Sequence, residues 1–181
     1  AINQMAHLVL ALESDAARLG RTQHPLLGAA TCNVGVIHGG VQVNFVPDGC
    51  VIEVDRRLLP GESSAAVLKE YGSLLEKLKA SDPTFAASMD APLLVDEALE
   101  TPPDAPIAQL AAAVLAELGL DPKLGGVPFG SDASKFSRQG IPSVLIGPGS
   151  IDQAHAAVEY VDCAQVEQAV EFYRQVMLRF E

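Results

Sequence analysis

Aromatic side chains make up only 5% of the 181 residues, and lysine and arginine together number 12. A core poor in rings must be filled with Ala, Val, Leu and Ile. The chain has them: 49% of it is hydrophobic and 19% charged, far from the composition of a disordered segment. Against 23 acidic residues the few basic ones leave a formal charge of -11. That charge repels a phosphate backbone and an anionic membrane surface, and no Lys/Arg cluster interrupts it, so neither nucleic acid nor membrane is expected as a partner. No apolar run reaches the roughly 18 residues of a membrane span, and no basic stretch followed by an apolar one suggests export. Cysteine is scarce as well. Cys32, Cys50 and Cys163 are odd in number and lack C-x-x-C spacing, which suits small buried residues in a reducing compartment and predicts a cytoplasmic protein. An initiating Met is also missing: Ala1-Ile2-Asn3-Gln4 enters an amphipathic pattern at once, as in a chain that begins partway through a larger one.

What is present falls into two modules. Ile2, Met5, Val9, Leu12, Ala16 and Leu19 recur at helical spacing up to Gly20. Residues 31–37, 41–46 and 51–58 read as three strands, separated by Gly39-Gly40 and by Pro47-Asp48-Gly49, which are short enough for antiparallel hairpins. A second amphipathic helix carries Val67, Leu68, Tyr71, Leu74, Leu75 and Leu78, with Ser63 or Ser64 as N-cap, and residues 84–89 read as a fourth strand. Two helices on one face of such a sheet make an α+β sandwich of the ferredoxin-like sort. The proline-rich stretch at Pro102-Pro103 lies in a crossing segment, giving expected domains of 1–91 and 92–181. Beyond it, residues 107–118 read as a helix stopped by Gly119 and residues 131–137 as a short helix. Residues 143–146 read as a buried strand, and residues 164–180 as a terminal helix with Val166, Val170, Tyr173 and Met177 inside. One or two strands among three helices make an incomplete α/β layer.

Three segments place polar groups where packing does not need them. In a closely paired hairpin, Asn44 and either Arg56 or Arg57 could share a face and bind a carboxylate through an amide donor and a guanidinium fork. Ser131 or Asp132, in Gly130-Ser131-Asp132-Ala133-Ser134, could cap the short helix. Gly147-Pro148-Gly149 follows directly on the 143–146 strand, where ligand crevices form in α/β layers, and delivers His155 a few residues later. A neutral imidazole suits zinc, and Glu159 could orient the ring. His7, His24 and His38 form no ligand pair, so spacing alone supplies no second metal ligand.

Taken in order, Gly39-Gly40 with Asn44 and Val46-Pro47, Asp55 with Arg57, Gly130-Ser131-Asp132-Ala133, and the run from Gly140 to His155 resemble the di-zinc aminoacylase and carboxypeptidase superfamily. The branch they resemble most is that of acetylornithine deacetylase and succinyl-diaminopimelate desuccinylase. The resemblance covers essentially the whole chain. It implies that residues 1–91 are a ferredoxin-like lid that also makes a homodimer contact. Residues 92–181 would then be the carboxyl-terminal part of a catalytic domain, an incomplete α/β piece.

By the same resemblance the parent is a zinc-dependent amidohydrolase that removes the acyl group from a small N-acyl amino acid. It would use two zinc ions, or cobalt in their place, and a metal-bridging hydroxide. His155 becomes the last zinc ligand, Asn44 and Arg57 bind the substrate carboxylate, and Gly147, Pro148 and Gly149 line the pocket; Arg57, not Arg56, fits the Asp-x-Arg pattern. The family's His-x-Asp motif, bridging carboxylate, Glu-Glu pair and lid His would precede residue 1. No catalytic residue is therefore expected in this segment, which alone should be inactive and hold zinc weakly. One departure is Val158, which stands where the family commonly has an acidic residue. Two other classes of function fit the composition: a stand-alone dimerisation module without catalysis, and a metal-free small-ligand sensor on a ferredoxin-like domain.

Overall fold

In a computed structural model, which describes residues 1–154 and 156–180, the chain divides into two compact units, Ala1–Ala98 and Leu99–Glu181. The first is built on a hairpin. Strand β3 (Thr31–Gly39) pairs antiparallel with β4 (Cys50–Arg57), Thr31 facing Arg57 at one end and Gly39 facing Cys50 at the other. Val34 pairs with Val54 but Val36 pairs with Glu53, so Gly35 is the extra residue of a bulge. Ahead of the hairpin, β1 (Gln23–His24) and β2 (Gly28–Ala29) form a separate two-residue ribbon.

Helices α1 (Ile2–Leu19) and α2 (Ser64–Ser81) cover one face of the hairpin. Leu8 and Leu12 of α1 and Phe85 form the centre of this core. Met5, Cys32, Val34, Ile52, Tyr71 and Leu75 pack around it, and each fully buried large side chain contributes about 2 kcal/mol. The helices-on-one-face arrangement expected of an α+β lid is thus present. Leu8, absent from the expected stripe, is buried, whereas Ile2 is exposed. A turn at Leu59-Pro60-Gly61-Glu62 leads from β4 to α2. Glu62 N–H donates to the Leu59 carbonyl at 3.0 Å, and Gly61 supplies the φ of 86° that a type II turn needs at this place.

Three expected strands are not formed among the described residues. Residues 41–46 alternate like a strand but turn at Gly40, which has a φ of 74°, and project Val41, Val43 and Val46 into solvent. With no ladder partner among the described residues, the alternation does not make a strand. Residues 84–89 form no ladder; Phe85 drops into the core while Thr84 is tied back by Asp82. Residues 143–146 form no ladder among the described residues; the backbone of Ser143 is bound by the Thr101 side chain instead.

The second unit holds α3 (Pro106–Glu117), α4 (Ala133–Ser137) and α5 (Cys163–Arg179). Pro106 opens α3, where a missing N–H costs nothing. Gly119, at φ 71°, lets the chain leave α3. Ala111, Val114 and Phe172 form the core between α3 and α5, with Val144, Ile146 and Val176 packed on it. The face of α5 differs from the expected one. Phe172 is buried while Val166, Val170, Tyr173 and Met177 are exposed, because the cover comes from α3 on the Phe172 side.

Candidate functional site

The parity of β4 sends neighbouring arginines to opposite faces of the hairpin. Arg56 points inward with Ile52; its side chain is 9% exposed and bound to the Glu62 carboxylate, with Arg56 Nη1 to Glu62 Oε2 at 3.3 Å. Glu62 also accepts from the Leu59 N–H at 2.7 Å. Arg56 is therefore a structural clasp for the β4–α2 turn. Arg57 lies on the open face, where its Nε donates to Asp55 Oδ2 at 2.7 Å and both side chains are 57% exposed. A guanidinium held from one side in solvent can still present a donor edge to a carboxylate.

Asn44 is exposed in the loop beyond the Gly39–Cys50 end of the ladder. Arg57 stands at the Thr31 end. Eight residues of β4 separate the two ends, on the order of 20 Å. Within one chain the hairpin does not bring Asn44 and Arg57 together.

In the second unit, Gly147, Pro148 and Gly149 line an open cavity of about 220 Å³ together with Gln165, Phe172 and Tyr173. The Tyr173 hydroxyl donates to the Ile146 carbonyl at 2.7 Å, and the Gly149 N–H donates to Gln165 Oε1 at 2.7 Å. Gly149 has a φ of 91°, a conformation that favours glycine. The sequence offered a signal for one of these two contacts. A tyrosine on a terminal helix carries a hydroxyl that needs a partner, whereas grouping Tyr173 with the core residues hid that end of the ring.

At α4 the N-cap position is Asp132, whose side chain makes no capping bond; Ser131 before it binds the first turn, its Oγ accepting from Ala133 N–H at 3.2 Å and its carbonyl from Ser134 N–H at 3.1 Å. Asp132 turns instead to Lys135, at 2.7 Å, and the hydrogen bond holds its carboxyl below the usual aspartate range. His24 serves the backbone, its Nδ1 accepting from Leu26 and Leu27 N–H at 3.2 and 3.3 Å. His155 lies outside the described residues. Among the described residues no group of three or more His, Cys, Asp or Glu could hold a metal ion, so they do not supply the donor set of a zinc site. No helix among them is long and apolar enough to cross a membrane.

The hairpin with two helices on one face, followed by a separate helical unit, is the arrangement that comparison with known proteins identifies. Residues 1–83 match the M20 family described as a peptidase dimerisation domain, and this part of the chain belongs to that family. Over 131 residues the chain is 32% identical to an acetylornithine deacetylase of Myxococcus xanthus, covering 72% of this chain and 33% of that protein. Over 151 residues it is 29% identical to an N-acetyl-L-citrulline deacetylase of Xanthomonas campestris pv. campestris, covering 80% of this chain and 38% of that one. The chain spans 33% and 38% of the length of these relatives. Among solved structures, the aminopeptidase PepT of Bacillus cereus shares the fold with a TM-score of 0.64 at 20% identity, over 92% of this chain and 44% of that one.

Proposed function

We propose that these residues are the lid and the carboxyl-terminal catalytic segment of a cytoplasmic, metal-dependent amidohydrolase that deacylates small N-acyl amino acids. The observation that carries the proposal is the likeness to two deacetylases of N-acetylated amino acids over 72% and 80% of the chain. Residues 1–91 act as the lid and residues 92–181 as the catalytic segment. Arg57 binds the substrate carboxylate, and its exposure beside Asp55 supports that role. Gly147, Pro148 and Gly149 form a wall of the pocket, and the cavity they line supports this. His155 is assigned as a zinc ligand by resemblance, the other ligands coming from outside this segment, so the 181 residues alone are inactive.

Asn44 completes the carboxylate clamp only from a second copy of the chain, since the length of β4 keeps it from Arg57 within one copy. In the complete enzyme, Arg57→Ala and Asn44→Ala should each cut kcat/KM for an N-acetyl amino acid by about tenfold or more. Mixing the two impaired variants should restore part of the activity through hybrid dimers that hold one intact clamp. Wild-type kinetics for Arg57→Ala would end its carboxylate role.

A second reading, a dimerisation module without catalysis, is favoured by the family match of residues 1–83. Light scattering on the 181-residue chain tests its association: a monomer at high concentration counts against both the module and the two-copy clamp.

A further inference from the structure

The loop at Gly147, Pro148 and Gly149 is held at its two ends by side chains of one helix. At its start the Tyr173 hydroxyl binds the Ile146 carbonyl, and at its end Gln165 binds the Gly149 N–H, each at 2.7 Å. The loop has little else to fix it. Pro148 has no N–H, and residues 143–146 make no strand ladder among the described residues; the Thr101 side chain binds the backbone of Ser143, whereas the Ile146 carbonyl and the Gly149 N–H, next to the loop, are bound by α5. Gly149 itself holds a φ of 91°, which a side chain would strain.

The helix that carries both groups is itself anchored. Phe172, 4% exposed, packs on Ala111 and Val114 of α3. Asp162 caps the amino end, its side chain accepting from Ala164 N–H at 2.9 Å, and Arg179 binds Glu117 of α3 at the other end, at 2.7 Å. A chain of contacts therefore runs from the core, through α5, to the backbone of the loop. Neither tip contributes to that core, since Gln165 and Tyr173 are both exposed.

We propose that Gln165 and Tyr173 are positioning residues that set the wall of the substrate pocket formed by Gly147, Pro148 and Gly149. This rests on the assignment of that loop to the pocket of the deacylase proposed above. The clamp fixes where the substrate packs and touches no reacting atom, so its loss is read in KM and not in kcat.

The test uses the complete, metal-loaded enzyme with N-acetyl-L-ornithine as probe. Tyr173→Phe and Gln165→Leu each raise KM by up to about tenfold while kcat stays within about twofold. Gln165→Glu, whose carboxylate still accepts the Gly149 N–H, recovers most of that loss. Thermal midpoints stay near wild type, whereas a merely structural role would lower them with KM unmoved. A wild-type KM in the Gln165→Leu, Tyr173→Phe double variant overturns the clamp. Pro148→Ala then tells how far the failure reaches: a raised KM there leaves the pocket assignment standing, and a wild-type KM removes it too. A KM rise in Gln165→Leu that Gln165→Glu does not reverse overturns the acceptor role of Gln165.

Discussion

The carboxylate of Glu97 closes the amino end of α2: both of its oxygens accept from the Ser64 N–H at 3.2 Å, and the Ser64 hydroxyl donates to Oε1 as well. Ser63, at the N-cap position, makes no side-chain capping bond, so an acid far along the chain does the work usually done next door. A negative charge at this end also suits the helix dipole. Glu97→Ala should therefore destabilise the Ala1–Ala98 unit by about 1 kcal/mol, measured as a lower urea midpoint with unchanged slope. Glu97→Gln should lose less. An unchanged midpoint for Glu97→Ala would show that water replaces the cap at no cost.

Arg56 and Arg57 adjoin in sequence yet should fail in different assays. Removing the Arg56 side chain leaves the half-buried Glu62 carboxylate with the Leu59 N–H but without its cation, and breaking a buried pair costs on the order of 3 kcal/mol. Arg56→Ala should unfold the first unit at markedly lower denaturant. Arg57→Ala, on the solvent face, should shift stability by less than about 0.5 kcal/mol and show its effect in kcat/KM. Equal loss of stability in both variants would contradict the inward and outward assignment.

Period carried most of what was legible in the sequence, and neighbours decided the rest. The spacing of Met5, Leu12 and Leu19, and of Tyr71, Leu75 and Leu78, marks one buried face on each helix without reference to anything else, and both faces are found in the core of the hairpin or at its end. Residues 41–46 and 84–89 have strand-like composition, but a strand exists only through a partner, which a local pattern does not contain. In α5 the apolar positions occur on more than one face. Only the location of α3 selects Phe172 and Val176 over Val170 and Met177. Spacing left Arg56 and Arg57 open and only the Asp-x-Arg pattern pointed to Arg57, while Glu62, Gln165 and Glu97 act through contacts made at a turn, a loop and a distant helix end.

Tyr71 carries a polar end that the core does not use. Its hydroxyl oxygen is buried without a hydrogen-bond partner among the described residues, and burial, with the Cys32 sulfur beside it, pushes the phenol above its ordinary range. An unsatisfied buried hydroxyl costs about 1–3 kcal/mol, so Tyr71→Phe should leave the first unit as stable as wild type or more so. Tyr71→Ala, which empties ring volume next to Leu8, Leu12 and Phe85, should instead cost about 3 kcal/mol. A clear loss in Tyr71→Phe would mean that the hydroxyl makes a bond in solution.

Acid should loosen the second unit through α5. Hydrogen bonds from Arg174, and then Gln175, lower the Glu171 carboxyl from 4.5 to about 2, and the Arg179 pair holds Glu117 below its ordinary value too. A carboxyl whose folded value is depressed binds fewer protons folded than unfolded. Its contribution is therefore complete above 4.5 and disappears as pH falls through about 2. Helicity of the Leu99–Glu181 unit, followed by thermal unfolding at intervals across that window, should decline with pH. Arg174→Met should flatten the part due to Glu171, and Arg179→Met the part due to Glu117. Both groups lie in solvent, so raised salt should shrink the wild-type slope toward that of the variants. A slope indifferent to both salt and Arg174→Met would assign the acid sensitivity to other carboxylates.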